Sequence, residues 1–218
     1  MNGLMRSIFY ETLDSIKISV LLLLIIGAVL LATGNESLLL AFSVVVPPVW
    51  SALMFSSLRK EDMSRWGKYK LTFPVKRQEI VQSQYIAHVA GSLFGVLVST
   101  VFMGGTVLIH GNRYFYYGFR DAVTLIAGGA IIALMMGAIS YPLYYLWGSE
   151  RAELILAVGI LGSAGVILAL TGLANYLSDG PVTDAEYYMN LIVDMVITSV
   201  MYGTSYILSI RLFQKKEY

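Results

Sequence analysis

The chain is too apolar for a water-soluble domain. It has 218 residues, of which 57% are hydrophobic and 13% are charged, whereas soluble domains are about half apolar and about a quarter charged. Its mean hydropathy is +0.69. The net charge of +1 supports no argument from overall charge, and the absence of cysteine excludes disulfides, thiol catalysis and cysteine-ligated metals. Because one membrane-crossing helix needs about 20 apolar residues, we predict an all-α membrane protein with six transmembrane helices and no separate soluble domain.

The first 17 residues form an amphipathic pattern. Apolar residues recur there at helical spacing, at Met5, Phe9, Leu13 and Ile16. The pattern predicts a helix over residues 1–17 that lies in the membrane interface and leads into the first span, residues 18–33. The segment lacks the short basic start and apolar core of a signal peptide, so no cleavage is expected.

Five more apolar runs predict the remaining spans. These runs cover residues 38–57, 85–109, 122–147, 154–176 and 189–212. Pro47 and Pro48 interrupt the second run and predict a kink or local break, which lipid tolerates only where neighbouring groups satisfy the freed carbonyls. Gly91 and Gly95 lie four residues apart on the third run, a spacing that favours close helix packing in lipid. No internal repeat is evident, so the sequence does not favour an inverted-repeat transporter.

Residues 58–84 form the only long, strongly charged segment, and they join spans two and three. With six spans, this loop shares one side of the membrane with both termini and the loop after span four. That side carries all but two of the 15 lysines and arginines, the exceptions being Arg113 and Arg120. The asymmetry predicts that the termini and the basic loop are cytoplasmic.

Motifs for catalysis are absent from the sequence. It contains no phosphate-binding loop, dinucleotide fingerprint, zinc-protease motif or nucleophile elbow. Its two histidines, His88 and His110, fall near opposite ends of one span and cannot share a metal ion. We therefore expect no catalytic residue, no metal site and no nucleic-acid partner in this chain.

Asp194 is a carboxylate inside the sixth span, where a charge is costly in lipid and marks a functional candidate. One interpretation places it near the outer interface, hydrated or bonded to Asn190 or a neighbouring helix. The other places it on the wall of a substrate path. The sequence leaves both open.

The basic loop has an internal order. A run of positive charge on the cytoplasmic side is common in membrane proteins and by itself sets only topology. Here, however, Trp66 and Tyr69 are able to anchor at an interface, and Thr72 and Pro74 are a cap candidate and a residue suited to a first helical turn. The pattern predicts a short cytoplasmic helix that merges into span three, a device suited to passing force from a soluble partner into the membrane.

This loop also carries a family motif. Its residues match a pattern of the kind W-x-x-Y-x-x-T-L-P-V-S-R-x-x-I-V-x-S-K-Y, at Trp66, Tyr69, Thr72, Pro74, Val75, Arg77, Ile80, Val81, Ser83 and Tyr85. Phe73, Lys76 and Gln84 depart from it, standing where leucine, serine and a basic residue are commoner. On this motif and its six-span layout, the chain resembles the small permeases of the ABC-2 family, which include subunits of phenol-soluble modulin exporters and bacitracin-type resistance pumps.

The resemblance implies a single permease domain over residues 1–218, in a bacterial plasma membrane, paired with a second copy or a paralogue. It also implies a separate ATPase subunit that binds the ATP and magnesium. Residues 1–17 would then be an elbow helix, and residues 58–84 would hold a coupling helix seated in a groove of the ATPase. The residues implied for coupling are Glu61, Asp62, Trp66, Tyr69, Thr72, Pro74, Val75 and Arg77.

Three classes of function stay open on the sequence. The leading hypothesis is ATP-driven export of amphipathic or hydrophobic peptides or similar small molecules, because no large outer domain is available to receive polar cargo. A stand-alone secondary transporter would need ionisable groups near mid-membrane, for which Asp194 is the candidate. A membrane protein that sequesters a peptide without ATP would have the same sequence features.

Overall fold

The computed structural model describes residues 2–64, 76–112, 114–177 and 183–215. These residues form helices and no strand. The elements are α1 (Asn2–Thr33), α2 (Glu36–Met63), α3 (Arg77–His110), α4 (Phe119–Trp147), a 3-10 turn (Ser149–Arg151), α5 (Ala152–Leu177) and α6 (Asp184–Lys215). In the described part of the chain, six helices are long and apolar enough to cross a membrane. Each predicted span lies within one of them, so the predicted all-α, six-span fold is confirmed.

The N-terminal segment is continuous with the first span. Residues 2–33 are one helix of 32 residues, so no break separates residues 2–17 from the residues that follow. The placement of this segment in the membrane interface stays a prediction. Its inner face is fixed to the bundle by Lys60, whose Nζ donates to the Glu11 carbonyl at 3.1 Å and to Ser15 Oγ at 2.8 Å.

Helix α2 runs without a break through both prolines. The predicted local break is therefore wrong, while a kink in the continuous helix stays a prediction. The prolines cannot donate to the carbonyls of Ser43 and Val44, four residues earlier in the helix. Gly129 of α4 approaches these two carbonyls: a Cβ there would lie 3.1 Å from Ser43 O and 3.2 Å from Val44 O. The absence of a side chain thus lets α4 cover this part of α2.

Helix α4 lies at the centre of the bundle. It packs against α2, α3, α5 and α6, while α1 packs against α2 and α3. The helices alternate in direction, so α2, α4 and α6 end where α1, α3 and α5 begin. We call this end, which carries Arg59, Lys60 and Arg77, the basic end, and the other the opposite end.

Two buried clusters fill the bundle. The cluster at the basic end is rich in tyrosine and includes Phe55, Tyr85, Tyr141, Tyr144 and Phe213. The second cluster, toward the opposite end, includes Leu39, Phe42, Trp50 and Tyr114. Polar hydroxyls inside a membrane bundle need partners, because lipid supplies none. The buried hydroxyls of the tyrosine-rich cluster must therefore form hydrogen bonds to other protein groups.

Candidate functional site

Helix α3 has its polar residues inside and its apolar residues outside. Its buried face carries polar side chains at spacings of four or seven residues, at Gln84, His88, Ser92, Ser99 and Thr106. Its exposed face carries large apolar side chains, at Leu93, Leu97, Val101 and Leu108. This reversed pattern suits a helix whose outer face meets lipid. It also turns Gln84 and His88 toward α2, α4 and α6.

Gln84 joins α3 to a buried carboxylate on α2. Its Nε2 donates to Glu61 Oε1 at 3.1 Å, and its Oε1 accepts from Ser57 Oγ at 3.2 Å. The Gln84 carbonyl accepts from the Tyr141 hydroxyl of α4 at 3.2 Å. Glu61 is only 3% exposed. A carboxylate this deeply buried is tolerated only with hydrogen-bond partners, so Gln84 holds the end of α2 against α3.

The last turn of α2 is also tied to α4 and α5. The Tyr144 hydroxyl of α4 donates to Asp62 Oδ2 at 2.7 Å and lies 2.9 Å from the Leu58 carbonyl. Arg59 forms an ion pair with Glu153 of α5. That pair is largely exposed and contributes little to stability. The buried Tyr144 contact is the firmer link.

Arg77, the first residue of α3, lies against the last turn of α6. Its Nη1 donates to the Gln214 carbonyl at 3.0 Å and to the Phe213 carbonyl at 3.3 Å. A cation at a helix C-terminus satisfies carbonyls that lack a helical partner and complements the helix dipole. The start of α3 is therefore attached to the end of α6.

His88 lies in the interior, between α3, α4 and α6. The Tyr202 hydroxyl donates to the Tyr85 carbonyl at 3.0 Å and lies 3.2 Å from His88 Nδ1. Since that hydroxyl has a single proton, Nδ1 can bond to it only as the donor. On the other side, a Cβ at Gly137 would overlap the imidazole. The His88 ring is thus packed tightly against α4.

The residues predicted for coupling divide into two groups. Five of them lie outside the described residues: Trp66, Tyr69, Thr72, Pro74 and Val75. The other three flank that segment: Glu61 and Asp62 in the last turn of α2, and Arg77 at the start of α3. Residues 58–63 and 77–84 of the predicted loop belong to these two helices. The role of all eight in coupling stays a prediction.

Sequence reasoning missed the inward partners of these residues. Gln84 was noted only as a departure from the motif, and His88 only as a metal ligand to be excluded. Their signal was present in the four-residue spacing of Ile80, Gln84, His88 and Ser92, which puts all four on one helix face. Nothing in the sequence identified Glu61 and Tyr202 as the groups that Gln84 and His88 contact.

Asp194 lies far from this network, beside a cavity between α4, α5 and α6. The cavity volume is about 280 Å³. Its lining comprises Arg120, Thr124, Gly128, Ile131, Ile167, Thr171, Tyr187, Asn190, Leu191 and Asp194. Asp194 is half-buried and makes no hydrogen bond or ion pair to a residue in the described ranges, Asn190 included. The side chain therefore borders an open space rather than a bonded neighbour.

Comparison with known proteins assigns the family. The family model described as ABC-2 family transporter protein matches residues 4–214, a range that takes in nearly all of the six helices. No curated protein matches the chain. The match agrees with six helices suited to crossing a membrane and with the loop motif between α2 and α3. The chain therefore belongs to the ABC-2 family of transporter proteins, as a multi-pass membrane protein with a transport role.

Proposed function

We propose that the protein is the permease subunit of an ATP-binding cassette exporter, driven by a separate ATPase that binds ATP and magnesium. It works as a dimer with a second copy or a paralogue, in a bacterial plasma membrane with both termini in the cytoplasm. The observation that carries the proposal is the attachment of both flanks of the loop motif to the helix bundle. Glu61 fixes one flank through Gln84, and Arg77 fixes the other on α6.

These attachments suggest how force reaches the membrane. A displacement of the segment between α2 and α3 moves the end of α2, which carries α3 with it through Glu61 and Gln84. Tyr144 passes the same displacement to α4, and Arg77 passes it to α6. Because these contacts are short, and those of Glu61 and Tyr144 are buried or partly buried, the helices respond together rather than one at a time. ATP-driven closure of the partner would thus reorient the bundle.

The cargo we propose is an amphipathic or hydrophobic peptide, or a similar small molecule. The helix connections at the opposite end are short, at residues 34–35, 111–118 and 178–183, and leave no room for an outer receptor domain. Cargo would have to meet the helices themselves, and those are apolar on their outward faces. The cavity beside Asp194 is the part of the path that we assign. The proposal includes the resemblance of this protein to the permease subunits of phenol-soluble modulin exporters and bacitracin-type resistance pumps.

The test is co-purification from the native membrane, followed by an ATPase and transport assay. We expect a stoichiometric soluble subunit with a phosphate-binding loop. A triple variant, Trp66→Ala, Tyr69→Ala and Arg77→Ala, should lower coupled transport about tenfold or more, the scale of a coupling free energy of about 1–3 kcal/mol. ATP hydrolysis by the partner should persist. The matched control is Lys17→Ala at the same end, whose ion pair with Asp14 is exposed.

Two results would contradict the proposal. Unchanged coupled transport in the triple variant would remove the loop from the coupling mechanism. A chain that purifies alone, without ATPase activity, under conditions that preserve other membrane complexes would instead favour an ATP-independent transporter or a peptide-sequestering protein.

A further inference from the structure

The cavity beside Asp194 combines apolar walls with several polar side chains, among them one amide and one carboxylate. Ile131 of α4, Ile167 of α5 and Leu191 of α6 supply apolar wall, and Asn190 and Asp194 supply an amide and a carboxylate. Asp194 lies ten residues into α6, about 15 Å along the helix axis from its start. The cavity therefore begins at the opposite end of the bundle and extends inward.

Its charge is negative. Within residues 122–147, 154–177 and 188–210, the apolar stretches of α4, α5 and α6, Asp194 is the one residue among Asp, Glu, Lys, Arg and His. Arg120 lies at the mouth, but its Nη1 is paired with Asp184 Oδ1 at 2.7 Å. Its guanidinium also stacks 3.9 Å from the ring centre of Tyr187. The positive charge at the mouth is thus compensated locally, whereas the carboxylate inside has no cation within the described residues.

We propose that this cavity binds a primary ammonium group carried on an apolar chain, with Asp194 as its counter-ion. A half-buried carboxylate in lipid is costly without a counter-charge, and an ammonium supplies one. The side-chain amide oxygen of Asn190, Oδ1, accepts a second hydrogen bond, and the aliphatic wall covers the methylenes. A volume of about 280 Å³ holds one side chain or chain terminus rather than a whole peptide.

This inference rests on the proposed function, because it makes the ammonium part of the cargo. A lysine side chain, a peptide N-terminus and an aminolipid headgroup all present this chemistry. The apolar surroundings favour an amphipathic peptide with a free amine as the physiological source. The aromatic face of Tyr187 is occupied by Arg120, so the carboxylate and not a cation–π contact is the recognition group.

The probe is radiolabelled decylammonium, measured by equilibrium binding to the full-length protein in nanodiscs of neutral lipid lacking amines. We expect saturable binding that 1-decanol does not displace. Asp194→Asn should weaken the affinity at least about tenfold, because a charge-assisted hydrogen bond and its counter-charge are lost together. Asp194→Glu should bind within about threefold of the unmodified chain, since the charge is kept. Glu36→Gln, an exposed carboxylate at the same end of the bundle, is the matched control.

Equal affinity of Asp194→Asn and the unmodified chain, with both folded by size-exclusion chromatography, would overturn the proposal. If Asp194→Asn fails to fold, a large loss in Asp194→Glu, or displacement by 1-decanol, overturns it instead. Competition identifies the source: displacement by a lysine-containing amphipathic peptide, but not by its amine-acetylated form, supports cargo binding. Displacement by phosphatidylethanolamine alone overturns the assignment to cargo. Since no ATPase is needed here, failure of this test is separate from failure of the coupling test.

Discussion

Gly95 of α3 faces the proline site of α2 with no room for a side chain. A Cβ on Gly95 would lie 2.6 Å from Pro47 Cα and 3.1 Å from both Pro47 N and Val46 O. Carbon atoms pack at about 3.5–4.0 Å, so Gly95→Ala requires α2 and α3 to separate by about 1 Å. All three opposing atoms belong to the backbone, and no rotamer change relieves the overlap. We expect Gly95→Ala to lower the free energy of unfolding by about 1–3 kcal/mol, the scale of overpacking.

The assay is a reversible unfolding titration with dodecyl sulfate in mixed micelles. Gly104→Ala, on the same helix, is the matched control, because a Cβ there meets nothing within 4 Å. Alanine has a higher helix propensity than glycine by about 1 kcal/mol, so Gly104→Ala should be neutral or slightly stabilising. The difference between the two variants isolates the helix contact from the propensity effect. If Gly95→Ala unfolds at the same detergent fraction as Gly104→Ala, the close approach of α2 and α3 is refuted.

Two further variants test the interior of the basic end by the same titration. Gln84→Leu removes the donor to the Glu61 carboxylate and should destabilise the protein by about 1.5–3 kcal/mol. Adding Glu61→Gln to this variant should recover part of the lost stability, since a neutral amide is less costly to bury than a carboxylate. If no stability is recovered, the buried charge is not the cause of the loss. Gly137→Ala places a methyl group against the His88 ring and should lower the free energy of unfolding by about 1–3 kcal/mol. Gly128→Ala on the same helix, with open space around it, should leave the stability unchanged. Equal stability of the two variants would show that the His88 ring does not lie against Gly137.

The spans could be predicted from the sequence because lipid imposes a length and an apolar composition on each helix. The residues at which the helices end could not be predicted in this way. Hydropathy ended the second span near Ser57, where charged residues begin, but α2 continues to Met63. Arg59 and Lys60 continue the helix because they reach partners on α5 and α1, and Glu61 does so because Gln84 receives it in the interior. Contacts with other helices therefore stabilise helical structure at charged positions, where hydropathy alone predicts that the span has ended.

The candidate site was predictable in part. Asp194 could be identified as a single carboxylate in an apolar run, without knowledge of which helices lie next to it. The cavity beside it needed the relative positions of α4 and α5, which hydrophobic periodicity does not give when lipid and protein faces are both apolar. For the same reason, the four-residue spacing of Gln84 from Ile80 and His88 predicts a shared helix face but not the partner of Gln84 on another helix.

The buried hydroxyls of α3 bear on how the protein is made. Ser83, Ser92 and Thr106 each donate to a carbonyl three or four residues earlier in their own helix. Such hydroxyls are satisfied as soon as the helix exists, so this segment can leave the translocon and enter the bilayer before α4 and α6 have been synthesised. Gln84 and His88 need other helices, and they lie about 10 Å and 16 Å from the start of α3. The contacts of Gln84 and His88 can therefore form only once their partner helices are present.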